Sequence, residues 1–175
     1  MKETRDKVLL LVDWDNIFYS IFDSFGPDKL DLDKRFERLT IWVKKEVGEL
    51  WGGFGFVFAP GHLNSYHRQI CDQAGLKIMI CPKRQIDDGT EDTVDETIIW
   101  FGLLMVKHPE VGYLCLVSGD QDYVSLLERT KAEGVKIALA VPTINSLSTN
   151  KALIRYVDRH PITNKKMIIR LDKPI

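Results

Sequence analysis

Apolar residues along this chain fall into two kinds of run. Val8–Val12 (VLLLV), Phe54–Ala59 (FGFVFA), Leu76–Cys81 (LKIMIC), Tyr113–Val117 (YLCLV) and Val135–Val141 (VKIALAV) are short and nearly unbroken, and are bounded by charge, glycine or proline. Continuous runs of that length predict strands covered on both faces. Between them the spacing changes to three and four, as in Leu32, Phe36, Leu39, Val43 and Val47, which predicts helices. The helices fall at about Leu30–Leu50, broken by Gly52-Gly53; Leu63–Ala74, closed by Gly75; Thr93–Lys107, stopped by Pro109; Asp120–Glu133, capped by Gly134; and Leu147–Tyr156. A helix over Asn16–Phe25 takes Asp15 as its N-cap. Lys83–Asp92 is a polar stretch turning at Asp88-Gly89, and Met167–Leu171 (MIIRL) adds an edge strand.

Strands alternating with helices predict an α/β domain with a mainly parallel sheet and helices on both faces. Residues 1–160 read as a single domain and 161–175 as a C-terminal extension. At 175 residues, 45% hydrophobic and 28% charged, the chain can bury a core without disulfides or structural metal. No apolar run approaches the roughly 18–20 residues of a membrane span, and Val8–Val12 runs straight into Asp13, unlike a signal peptide. Cys71, Cys81 and Cys115 are odd in number and widely spaced, which argues against a zinc site and for a reducing cytoplasm.

The net charge of −1 hides an asymmetry. Lys151–Ile175 carries seven Lys/Arg and two Asp, a net of +5, so the first 150 residues carry −6. Six carboxylates crowd into Asp87–Glu96. An acidic body with a basic tail suits a polyanion held beside a cation-filled pocket.

In open parallel sheets ligands bind outside the carboxyl ends of the strands. Asp13-Trp14-Asp15-Asn16 follows the first strand, and Ser118-Gly119-Asp120-Gln121-Asp122-Tyr123 the fourth. The helix after the third strand opens with Thr93-Val94-Asp95-Glu96, a capping-box spacing. Carboxylates gathered at one edge repel unless a hard divalent cation joins them, and such a cation can polarise a phosphodiester and acidify a water.

LLLVDWDNI resembles the strand-then-Asp-x-Asp-Asn opening of NYN domains in the PIN-like nuclease superfamily. LCLVSGDQDYVSLLERTKAEGVKI resembles their Ser-Gly-Asp-x-Asp-aromatic motif, and TVDETI stands where that family has Gly-Val-Asp. The resemblance spans about residues 7–141 in matching order. It implies a three-layer α/β/α fold with a five-stranded sheet in order 3-2-1-4-5, which sets the first and fourth strands side by side. It implies Asp13, Asp95, Asp120 and Asp122 as catalytic metal ligands for Mg²⁺ or Mn²⁺, with Asn16 and Ser118 bracing them. Two positions depart: Asp92 stands where many members have Lys, and Phe101 where many have a second Asp.

The expected activity is metal-dependent hydrolysis of RNA. Trp14 would stack on bases; Lys83, Arg84, Lys165, Lys166 and Arg170 would contact phosphates. The alternatives are an RNA-binding NYN module with a degenerate site, and a haloacid-dehalogenase-like phosphatase using Asp13 and Asp15. RNA is the expected partner, membranes are not, and a homodimer stays open.

Overall fold

The computed structural model of the chain describes residues 4–61, 63–143 and 151–173. Six parallel strands form its sheet: β1 (Lys7–Asp13), β2 (Gly55–Ala59), β3 (Leu76–Ile80), β6 (Val111–Val117), β7 (Lys136–Val141) and β8 (Ile168–Arg170). Their order is β3-β2-β1-β6-β7-β8. The five predicted strands hold the predicted order, and the tail adds a sixth beside β7, with Val141 opposite Arg170. Val8 to Val12 are fully buried, as unbroken apolar strands between two helical layers require.

The connecting helices are α1 (Trp14–Phe25), α2 (Leu32–Trp42), α3 (Ser65–Gln73), α4 (Val94–Met105) and α5 (Val124–Ala132). Strand succession runs one way from β1 to β3 and the other way from β3 to β7. Right-handed crossovers therefore put α1–α3 on one face and α4–α5 on the other. Gly102 lets α4 lie close: a Cβ there would sit 2.9 Å from Leu126 and 3.2 Å from Leu11. That contact packs the second half of α4 closely against β1 and α5.

Several boundaries differ from the sequence reading. The predicted Leu30–Leu50 helix starts at Leu32, widens into a π-turn over Val43–Val47, and ends at Gly48 rather than at Gly52-Gly53. Gly48 holds φ at 153°, a conformation other residues rarely adopt. The polar stretch after β3 contains an antiparallel ribbon, β4 (Arg84–Ile86) and β5 (Gly89–Glu91), turning at Asp88-Gly89. All of its strand residues lie on the exposed surface, so no apolar run marked them. Of the predicted last helix, Lys151–Ile154 is helical, and residues 147–150 lie outside the described residues.

The amino end of the sheet is closed by Arg5, which donates to the carbonyls of Val111, Val106 and Glu133. Beside it the β1–β6 register slips by one residue at Lys7/Val8, opposite Gly112. A Cβ on Gly112 would lie 1.9 Å from the Arg5 carbonyl oxygen. Backbone cannot give way as a side-chain tip does. Gly112→Ala should therefore lower stability by about 1–3 kcal/mol, read as a lower urea midpoint at unchanged slope. An unchanged midpoint would show that the Arg5 segment is not held there.

Candidate metal centre

Adjacent strands deliver the acidic residues. Val12 pairs with Val117, so Asp13 and Ser118 leave the sheet side by side. The chain then turns sharply, because three side chains satisfy its backbone. The Asn16 amide oxygen accepts from Gly119 N–H at 2.8 Å, tying the start of α1 to the loop after β6. Ser118 is fully buried, and its Oγ accepts from Asp120 N–H at 3.1 Å. Asp120 Oδ1 accepts from Asp122 N–H at 2.9 Å, opening a 3₁₀ turn over Gln121–Tyr123 that leads into α5. From across the edge, α4 presents Asp95 in its first turn. Asp95, Asp120 and Asp122 each offer a carboxylate oxygen, all within 4.8 Å of one another. This group can hold a metal ion.

Asp13 is joined to that group indirectly. It is only 4% exposed. Its Oδ1 accepts from Asn16 N–H at 3.2 Å, which makes Asp13 the N-cap of α1. Its Oδ2 lies 2.8 Å from the hydroxyl of Tyr123, a fully buried side chain, and that hydroxyl is also 2.8 Å from Asp95 Oδ1. A phenol owns one proton. With two carboxyl groups at hydrogen-bond distance it donates to one and accepts from the other, which must then be protonated. Burial raises the Asp13 carboxyl to about 6, against the lowering effect of these hydrogen bonds. Asp95 is also raised, first by burial and then by Asp120, Asp122 and Asp92. Asp13 thus holds its proton up to about pH 6, well above the ordinary carboxylate range.

The expected roles divide in the structure. Asn16 and Ser118 hold the backbone of the Asp120 loop. Asp15 is not the cap of α1; it sits in the first turn, raised by burial and by Asp92, with Lys83 as the opposing charge. Trp14 is 4% exposed and packs against Phe18, Phe36 and His67, which corrects its reading as a base-stacking rim residue. Arg84 is likewise not free for phosphate, because its guanidinium binds Glu91 and Glu96, both at 2.8 Å. That pairing also removes the predicted capping box: Glu96 faces Arg84, the Thr93 hydroxyl donates to Pro82, and Asp92 accepts from Val94 N–H. Phe101 packs against Phe56 and Phe58, turned toward the sheet. Lys165 and Lys166 are exposed just before β8, and Arg170 pairs with Asp172. Tyr123 is the residue the sequence reading passed over. Its signal was the aromatic position ending Ser-Gly-Asp-x-Asp, where a phenol rather than a phenyl ring brings a hydroxyl.

The Asp13 carboxyl, raised in the folded state, makes stability depend on pH. The stabilising proton is fully present below about pH 4 and lost as pH rises through about 6. Asn at this position keeps the acceptor for Asn16 N–H and supplies a donor for the Tyr123 oxygen. In metal-free buffer at pH 7.5, Asp13→Asn should exceed wild type by up to about 3 kcal/mol, and the gap should close by pH 4. Denaturation across that range is the check; a variant less stable at both ends would mean that Asp13 is ionised and favourably held.

No curated protein matches the chain. The crystal structure of VPA0982, a protein of unknown function from Vibrio parahaemolyticus, superposes with a TM-score of 0.70 at 20% identity, covering 97% of this chain and 94% of that one. At that identity the likeness shows the fold alone. The sequence model of the NYN domain matches residues 7–164, from the start of β1 to just before β8. With nearly its whole length matched, the chain belongs to the NYN domain family of the PIN-like nuclease superfamily.

Proposed function

We propose that this NYN domain is a ribonuclease that hydrolyses RNA phosphodiester bonds with Mg²⁺ or Mn²⁺ at Asp95, Asp120 and Asp122, with Asp13 as the fourth acidic residue. One observation carries the reading: three carboxylate oxygens gathered within 4.8 Å at the carboxyl edge of a parallel sheet. The charges acting on Asp95 are those of Asp120, Asp122 and Asp92, all carboxylates, so the cluster raises its own energy until a cation joins it. An all-oxygen donor set suits Mg²⁺ or Mn²⁺ rather than zinc. Such an ion supplies polarisation of the phosphodiester and a more acidic water.

The protein's own groups do the rest. Asn16 and Ser118 fix the loop that aims Asp120 and Asp122. Tyr123 holds Asp95 in line with Asp13 and can relay a proton between them. Lys83 is exposed next to Asp15 and offers a phosphate contact at the rim. The three cysteines are free and buried, in keeping with a reducing cytoplasm as the place of action.

A phosphatase mechanism on Asp13 is disfavoured. A nucleophilic carboxylate needs a free oxygen facing substrate, and both oxygens of buried Asp13 are engaged. RNA binding without cleavage is supported by Asp92, which adds a negative charge where the family often places Lys.

Labelled single-stranded RNA with Mn²⁺ should be cleaved, and EDTA should stop the reaction. Asp120→Asn should reduce the rate by at least about 100-fold, and Asn16→Ala by about 10- to 100-fold, each with an unchanged circular dichroism spectrum. Mn²⁺ should raise the melting temperature of wild type and not of Asp120→Asn. Near-full activity in Asp120→Asn would exclude this site; no cleavage with any divalent metal, but retained RNA binding, would leave the binding-module reading.

A further inference from the structure

The basic tail forms one wall of a groove. Between β8 and the end of α2 runs a depression of about 500 Å³ that includes Arg38, Trp42, Lys45, Arg170 and Lys173 in its lining. It continues along β8 into a second of about 250 Å³, with Lys165, Lys166 and His160. The two share Trp42, Glu46 and Ile168. Six Lys/Arg side chains thus line one channel, where Glu46 is the acidic side chain and Asp172 balances one of the six, Arg170. In a chain of net charge −1 this is a local concentration of positive charge.

The channel is also built rather than loosely assembled. Arg38 donates to the Lys173 carbonyl, Arg35 to that of Leu171, and Lys166 to that of Ile154. Arg170 is held by Asp172. These contacts dock the tail on α2 and fix the walls. They leave the ammonium groups of Lys45, Lys165 and Lys173 exposed along the rim; Lys45 approaches Glu46 no closer than 3.7 Å. Trp42, half-buried in the floor of both parts, gives the channel an aromatic surface.

We infer that this channel seats the phosphate backbone of a single-stranded RNA whose scissile bond lies at the carboxylate edge. The inference rests on the ribonuclease reading and adds the path of the strand. β8 lies two strands from β6, about 10 Å across the sheet, and Arg170 stands at its carboxyl end, the edge that carries Asp120. The carboxylates repel RNA; the channel supplies the attraction that brings it near. Lysine rims with an aromatic floor suit a backbone followed without base readout.

The test is binding of a fluorescent single-stranded RNA to the whole protein in EDTA, followed by anisotropy from 50 to 300 mM salt. Lys45→Gln/Lys165→Gln/Lys173→Gln changes three exposed lysines with no partner inside the fold essential to the walls. It should weaken binding at least about tenfold at 0.1 M salt and flatten the log–log salt slope by about 2. Lys77→Gln/Lys107→Gln/Arg129→Gln removes the same charge elsewhere and should change neither. Equal losses in the two triple variants, or none in the first, would overturn the channel. So would polyglutamate of equal charge binding as tightly as RNA, since the groove would then read charge alone. Turnover with Mn²⁺ separates the two claims: a wild type that binds through the channel but does not cleave removes the ribonuclease reading and leaves the channel standing.

Discussion

The Tyr123 hydroxyl, 2.8 Å from both Asp13 and Asp95, is the contact on which the acidic edge depends. It joins three segments that carry like charge: the end of β1, the first turn of α4 and the loop after β6. A hydroxyl between two carboxyl groups donates to one and needs a proton on the other to bond both, and burial of Asp13, which raises its carboxyl to about 6, keeps that proton available up to that pH. The remainder of the fold makes the contact reachable. Parallel pairing of β1 with β6 sets Asp13 beside Ser118, and Gly102 brings α4 close enough for Asp95 to meet the phenol.

Around that contact the acidic residues take different parts. Asp13 caps α1 and is buried; Asp95, Asp120 and Asp122 stay open enough to receive a cation. Asn16 and Ser118 act on backbone N–H groups, so the aim of Asp120 and Asp122 is set by the loop's own hydrogen bonds. Arg84 binds Glu91 and Glu96, neutralising charge beside the cluster and pinning the β4–β5 ribbon to α4. A concentration of positive charge lies apart from the cluster, along β8.

Much of this was legible in the sequence. Unbroken apolar strands mark a doubly covered parallel sheet, and Asp13, Asp95 and Asp120 follow the strands or open the helix where such a sheet places chemistry. The missed features share a cause: each depends on a partner distant in sequence. Trp14 looked available because nothing nearby announces Phe36 and His67 as its neighbours. Arg84 looked free because its ion pairs require the ribbon, whose exposed strands carry no hydrophobic signal. Asp15 was preferred over Asp13 as a cap because strand and helix meet with no intervening residue, which spacing alone does not reveal. Tyr123 was counted as an aromatic, and only the structure shows where its hydroxyl goes.

Asp95, Asp120 and Asp122 are placed to collect a divalent cation at the carboxyl edge of the sheet. Crystals grown with Mn²⁺, with anomalous diffraction recorded at the manganese edge, test it directly. The account predicts a peak bonded to carboxylate oxygens of these three residues, with the Tyr123 hydroxyl still between Asp13 and Asp95. A map with no peak at this cluster in fully loaded crystals, or with manganese bound only elsewhere on the protein, would contradict it.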